Sequence, residues 1–145
     1  MTFTEKNGDL FTAPQEYYLA HCISNDFALG AGIAKKFNEV YNMRYRLYRS
    51  YPMANSEEYN YVGRALLASN VFNLVTKMKY FHKPTYDSLR RALDDMRKQC
   101  ELLGITKLAM PRIGAGLDRL DWDKVADIIK DVFKDSDIEI VIYVL

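Results

Sequence analysis

Leu19-Ala20-His21-Cys22-Ile23, followed after a short interval by Gly30-Ala31-Gly32-Ile33, is the stretch that decides the fold. Its first five residues are an apolar run without helical period, which reads as a buried strand. The glycines break the chain, and Ile33, Phe37, Val40 and Tyr41 then recur at spacings of four, three and one, on one face of a helix. Strand, glycine loop and helix in that order are the repeating unit of an α/β protein.

The same alternation continues in both directions. Phe3 to Lys6 predicts a short edge strand, punctuated by Gly8-Asp9. Val62–Ala68 and Val71–Thr76 are β-rich runs joined by Ser69-Asn70, a link of hairpin length. Thr85 is placed to cap a helix whose apolar stripe is Leu89, Ala92, Leu93, Met96, Cys100 and Leu103, with Gly104 closing it. Lys107–Met110 predicts a strand that must leave the sheet at Pro111. Asp121 caps a further helix with Val125, Ile128, Ile129, Val132 and Phe133 on its buried face. Ile138 to Val144 is hydrophobic almost throughout, as expected of a strand covered on both faces. The expected architecture is a three-layer α/β/α domain with a central mixed β-sheet, spanning residues 1–145 as one domain.

Bulk composition narrows the function. Twenty basic side chains against nineteen acidic ones give a net charge of +1, so no global field draws the molecule to polyanions, and nucleic acid is not an expected partner. Cys22 and Cys100 form no CxxC pair and no metal-ligand spacing, and are expected to be buried free thiols; no metal and no cofactor is expected. The N-terminal residues have no apolar h-region and no run is long enough to span a bilayer, which predicts an intracellular protein, taken as a monomer. Tyr41 to Tyr61 is the least patterned segment. Its Arg44, Arg46 and Arg49 alternate with Tyr45, Tyr48 and Tyr51, which reads as a turn or two of solvated helix with snorkelling arginines, or as a small basic and aromatic surface for nucleic acid.

Gly30-Ala31-Gly32-Ile33 lies where a strand gives way to a helix, and there unpaired amides and the helix dipole favour an anion such as phosphate. Alone, the same residues make an ordinary tight turn. Pro111-Arg112-Ile113-Gly114-Ala115-Gly116-Leu117-Asp118 is a second glycine loop after a strand. Two such loops at strand ends can grip both sides of one diphosphate. The third glycine of a GxGxxG fingerprint is missing, so nicotinamide dinucleotide is not implied. Asp118 can orient a nucleophile or stabilise charge at an anomeric carbon, or it can cap the loop or pair with Arg119 or Arg112. Lys77 is a candidate amine nucleophile at a strand end, with Lys79, Lys83 and His82 as competitors. Ser24 can serve a ribose or phosphate oxygen, or simply hold its own turn.

Taken together, Asn7-Gly8-Asp9-Leu10-Phe11, His21-Cys22-Ile23-Ser24, Gly30-Ala31-Gly32-Ile33-Ala34, His82-Lys83-Pro84-Thr85-Tyr86 and Met110-Pro111-Arg112-Ile113-Gly114-Ala115-Gly116-Leu117-Asp118-Arg119-Leu120 resemble a macro domain of the terminal ADP-ribose protein glycohydrolase type, also described as an O-acetyl-ADP-ribose deacetylase. The resemblance runs from about Asn7 to Leu145. It implies a pocket for ADP-ribose, or an ADP-ribosylated small molecule or protein, in which Asp9 reads the adenine amino group and Leu10 packs beside it. Ile23 and Ser24, Gly30 to Ala34, Pro111, Ile113 to Leu117, and Tyr143 complete the implied ligand contacts. It also implies that Lys77 attacks the anomeric carbon of the distal ribose with Asp118 as its partnering acid. Two other readings of the same pocket are an ADP-ribose 1″-phosphate phosphatase and a non-catalytic ADP-ribose reader. Met78-Lys79-Tyr80-Phe81 and the Tyr41–Tyr61 segment depart from the family pattern, and Asn25 and Ala115 are expected at a variable pocket rim.

Overall fold

The computed structural model describes residues 1–52 and 59–145. The part of the Tyr41–Tyr61 segment at 53–58 therefore lies outside the described residues. The strands are β1 (Thr2–Asn7), β2 (Tyr18–Ser24), β3 (Arg64–Ala68), β4 (Val71–Lys77), β5 (Lys107–Met110) and β6 (Glu139–Val144). Among the described residues they form one sheet in the order β1-β6-β5-β2-β4-β3. Every neighbouring pair is parallel except the β3–β4 hairpin. Ser69 takes the left-handed conformation in that hairpin's turn, with φ 54°.

Among the described residues four helices cover the sheet: α1 (Gly32–Tyr41), α2 (Met43–Ser50), α3 (Tyr86–Leu103) and α4 (Trp122–Phe133). Because strand side chains alternate between faces, each central strand feeds two cores. Ala20, Phe72, Leu74, Leu108, Met110, Ile140 and Ile142 pack with the inner faces of α3 and α4. Leu19, Ile23, Val71, Val75, Ala109, Val141 and Tyr143 pack on the opposite side with Phe37 of α1 and Met43 and Leu47 of α2. This is the three-layer α/β/α arrangement with a mixed sheet.

Capping follows the sequence closely. The Thr85 hydroxyl accepts from the Ser88 amide at 2.9 Å and the Ser88 hydroxyl accepts from the Thr85 amide, a reciprocal box worth about 1 kcal/mol. The same Ser88 hydroxyl donates to the carbonyl of Thr76 at 2.7 Å, tying the start of α3 to the end of β4. Asp121 caps α4 by accepting from the Asp123 amide.

Several expectations need correcting. Val40 is 53% exposed and Leu103 is 56% exposed, because α1 and α3 turn those positions away from the sheet at their last turns. The run expected from Val62 becomes a strand only at Arg64, since Gly63 takes a left-handed φ of 87°. Cys100 is buried, whereas Cys22 is only partly so. Arg44, Arg46 and Arg49 lie on α2, a solvated helix with Met43 and Leu47 inward, where Arg46 and Arg49 bond Tyr41 and Tyr45. No helix among the described residues is long and apolar enough to cross a membrane.

His21 and Asn73 form a polar bridge across β2 and β4 inside the α1 side of the core. The Asn73 amide donates to the carbonyls of Leu66 and Val71, which leaves its Oδ1 to accept from His21 Nε2 at 2.6 Å. Among the described residues His21 Nδ1 has no hydrogen-bond partner, and the ring stacks on Phe37 at 4.0 Å. Burial lowers the imidazole from its ordinary 6.5 to about 4, with the Asn73 bond opposing. The unfolded chain therefore binds a proton below pH 6.5 that the folded chain refuses until about pH 4. Stability from this source is intact above 6.5 and declines as pH falls toward 4, at about 1.4 kcal/mol per unit. Urea midpoints at about pH 7.5 and about pH 5 should show wild type losing more stability on acidification than His21→Gln. Equal losses would exclude His21 as the source.

Candidate functional site

Five parallel strands end on one edge of the sheet, so the segments leaving β1, β2, β4, β5 and β6 meet there. β2 pairs with β5 on one side and β4 on the other, which makes the two glycine loops neighbours and sets Lys77 beside them.

At the end of β4 the register slips: Ile23 faces Val75, but Ser24 faces Lys77, leaving Thr76 as an extra residue. A bulge of this kind bends a strand end and re-aims the following side chain. Lys77 Nζ donates to Asp118 Oδ1 at 2.7 Å, and each side chain is only 15% exposed. The competing cations are engaged elsewhere or point outward. Lys83 Nζ donates to the carbonyl of Leu117 at 2.9 Å, and His82 Nδ1 accepts from the Lys79 amide. Asp118 pairs with neither arginine proposed from sequence; Arg112 instead pairs with Glu5.

The loop that carries Asp118 is closed by Leu120 N donating to Gly114 O at 2.7 Å. Gly114 sits at φ 75°, where a Cβ would come 3.0 Å from Leu120. Across the cleft Gly32, at φ 57°, is the first residue of α1, and a Cβ there would come 3.2 Å from Leu117. The two loops thus approach each other over Gly32 and Leu117. The α1 N-cap, Ala31, makes no side-chain capping bond, unlike Thr85 and Asp121 on α3 and α4. The first turn of α1, from Ala31 to Ala34, lines the cleft instead.

Two adjoining lobes result. One, of about 680 Å³, is lined by Cys22, Ile23, Ser24, Gly30, Ala31, Ala34, Lys77, Ile113, Gly114, Leu117 and Asp118, with Tyr80 and Phe81 at its mouth. The other, of about 620 Å³, is lined by Asp9, Leu10, Phe11, Ala115, Trp122 and Tyr143. Gly32, Ile33, Pro111, Arg112 and Gly116 belong to both. Asp9 Oδ1 accepts from the Phe11 amide at 3.0 Å, which fixes the carboxylate at the start of a 3-10 turn, Leu10–Thr12. Burial, and the Asp118 carboxylate after it, pushes the Cys22 thiol well up, so the sulfur stays neutral beside the Lys77 pair.

Of the residues singled out in the sequence, Ser24 lines the Lys77 lobe while its hydroxyl donates to Asp26 Oδ1 of its own loop at 2.5 Å. Asn25 is not a rim residue. It is buried, and its amide donates to Tyr59 O and accepts from Tyr61 N, bracing the segment that follows the undescribed residues. Phe11 and Trp122 line the Asp9 lobe without a role assigned from the sequence, and Asp26 carries none either. Asp26 accepts from Ser24, from the Ala28 amide at 3.2 Å and from the Tyr80 amide at 3.0 Å, clipping the first glycine loop to the chain beyond Lys77. An aspartate two residues before the amide it receives is a local turn signal that the sequence does carry. Among the described residues no cluster of His, Cys, Asp and Glu is arranged to hold a metal ion.

Known proteins share this framework. The ADP-ribose glycohydrolase OARD1 of Bos taurus is 43% identical over 146 residues, covering 98% of this chain and 91% of that protein. The Homo sapiens ADP-ribose glycohydrolase OARD1 is 42% identical with the same coverage. In fold, the macrodomain of Mycobacterium tuberculosis DarG matches with a TM-score of 0.85 at 24% identity, covering 98% of this chain and 97% of that one. The family model described as Macro domain matches residues 20–129, from β2 through most of α4. By these matches, and with its glycine loops on adjacent parallel strands, the chain belongs to the macro domain family.

Proposed function

We propose that this macro domain binds ADP-ribose along the two-lobed cleft and hydrolyses the ester that joins its distal ribose to a carboxyl group, either an acidic protein side chain or acetate. The observation that carries the proposal is the Lys77–Asp118 contact of 2.7 Å in the lobe farther from Asp9. The bovine and human relatives bear the name ADP-ribose glycohydrolase, which supports the same activity. Each lobe falls within the ~300–1,000 Å³ usual for small-molecule sites, and their junction is the glycine-lined neck.

In this reading the adenine occupies the Asp9 lobe, with the carboxylate accepting from its amino group and Leu10 and Tyr143 packing beside it. The diphosphate lies over the uncapped amides of α1 and the Gly114–Leu117 backbone, where oriented N–H groups favour negative charge. The distal ribose then reaches Lys77. Asp118 takes a proton from the Lys77 ammonium, and the freed amine attacks the anomeric carbon. The bond from that carbon to the ester oxygen breaks, and the carboxylate leaves with the electron pair. The resulting glycosylamine opens to a Schiff base, which water hydrolyses to return Lys77 and release ADP-ribose. The protein acts as a monomer, and its own side chains supply the chemistry without a cofactor.

The decisive assay compares wild type, Lys77→Ala and Asp118→Ala on glutamate-linked ADP-ribosylated protein, O-acetyl-ADP-ribose and ADP-ribose 1″-phosphate, with ADP-ribose affinity measured by calorimetry. Both variants should lose ester hydrolysis by roughly 10²-fold or more while still binding ADP-ribose. An active Lys77→Ala protein rules out the lysine mechanism, turnover confined to the phosphate favours a phosphatase, and tight binding without turnover by wild type favours a reader.

The loops separate fold from binding. Gly114→Ala places a Cβ at positive φ against Leu120 and should cost about 1–2 kcal/mol in denaturation. A Cβ at Gly116 meets nothing within 4 Å. Gly116→Val should therefore change stability by less than about 0.5 kcal/mol, yet weaken ADP-ribose roughly tenfold by filling the neck. Unaltered affinity in Gly116→Val would remove the diphosphate from this neck.

A further inference from the structure

Between Lys77 and the first turn of α3 the chain runs Met78-Lys79-Tyr80-Phe81-His82-Lys83-Pro84, and Tyr80 to Lys83 lie at the mouth of the Lys77 lobe. Tyr80 and Phe81 are 65% and 67% exposed, a contiguous aromatic patch that contributes nothing to either core. The patch is nevertheless held in place. His82 N donates to Lys79 O at 3.0 Å, and the Lys79 amide donates to His82 Nδ1 at 3.3 Å, closing the turn. The Tyr80 amide is fastened to Asp26 beside the first glycine loop, and Lys83 to Leu117 of the second. The Tyr80 and Phe81 rings meet edge to face at 5.3 Å, and Phe81 meets His82 at 4.8 Å. A braced aromatic wall beside the reactive pair, rather than a mobile tip, is what a contact surface for part of a substrate requires.

We propose that Tyr80 and Phe81 are specificity-determining residues that hold the peptide flanking a modified acidic side chain. The proposal rests on the ester-hydrolase reading above. In that reading the adenosine, diphosphate and distal ribose fill the two lobes, so the leaving carboxyl group and anything attached to it project past Lys77 to the mouth. Acetate ends there. A peptide continues across the aromatic pair. The charges fit an acidic peptide: Lys79 and Lys83 flank the rings, Lys83 keeping its positive charge although its Nζ donates to the Leu117 carbonyl, while Asp118, the acid that lines this lobe, is neutralised by Lys77. A single-stranded nucleic acid needs a basic groove that tracks several phosphates, and a chain of net charge +1 with one such turn does not supply it.

The test compares wild type with Tyr80→Ala/Phe81→Ala on O-acetyl-ADP-ribose and on an ADP-ribosylated glutamate-rich peptide, with binding of the same peptide and of free ADP-ribose measured by calorimetry. Because both rings are largely exposed, the double variant should fold, and its affinity for free ADP-ribose reports that it has. The ratio of kcat/KM for peptide over acetyl ester should fall about tenfold, mainly through KM, as expected when a pair of aromatic contacts is truncated. The advantage of ADP-ribosylated peptide over free ADP-ribose in binding should fall by the same factor. An unchanged ratio and an unchanged binding advantage overturn the proposal. So does an effect confined to an ADP-ribosylated single-stranded oligonucleotide run alongside. If wild type hydrolyses neither ester, the hydrolase reading fails by itself, and the binding comparison still decides the role of the two rings.

Discussion

Parallel strands cannot be joined by a tight turn, so each connection must recross the sheet before the next strand begins. In this chain five strands share one direction, and every connection that leaves a strand end therefore starts from the same edge. That constraint assembles the site from residues as distant as Asp9, Lys77 and Asp118. β2 is the pivot, because its neighbours β4 and β5 deliver the lysine and the aspartate to its two flanks. The β3–β4 hairpin breaks the pattern at one side of the sheet only, and it returns β4 in the parallel sense that brings Lys77 to the shared edge.

The first glycine loop depends on the core beneath it. Phe27 and Leu29 both adopt left-handed backbone conformations, with φ of 51° and 44°, at a cost of about 1–2 kcal/mol each. Their side chains are buried in the core on the α1 side, and such burial contributes roughly 1.5–3 kcal/mol per residue. The burial offsets the strain, and Asp26 fixes the intervening turn from outside. The shape of the cleft is thereby coupled to the packing of α1 and α2, the layer that also holds the uncharged His21. Loss of that packing would relax the loop before it disturbed α3 and α4.

What could be read in the sequence was whatever repeats or punctuates. The caps at Thr85 and Asp121, the hairpin at Ser69-Asn70 and the double-sided burial of the last strand follow from local rules that no tertiary contact overrides. The paired glycine loops were legible as a site because each follows a strand, although only the β2–β5 pairing makes them neighbours. Periodicity failed where a helix outruns the sheet beneath it, as at Val40 and Leu103. Nor could it separate Lys77 from Lys79 and Lys83, since the bulge at Thr76 is a property of the pairing between β2 and β4 and leaves no mark on β4 alone. Asn25 is a similar case, as its partners Tyr59 and Tyr61 lie across a segment with no pattern of its own.

The three long helices that start near the cleft edge differ in one respect that bears on its chemistry. α3 and α4 begin with side-chain caps, so their first amides are partly satisfied by the protein. α1 begins at Ala31-Gly32 without one, directly beside the loop that follows β2. A helix start left open costs the fold the contribution a cap would make, about 1 kcal/mol, and the cost persists unless another acceptor takes its place. A bound diphosphate is such an acceptor, and its charge also suits the dipole of α1. Anion binding would then restore to α1 what its sequence withholds. Because α1 packs on the same core that holds Phe27 and Leu29, occupancy of the neck would also stiffen the first glycine loop, and with it the Asp26 clip that carries the chain beyond Lys77.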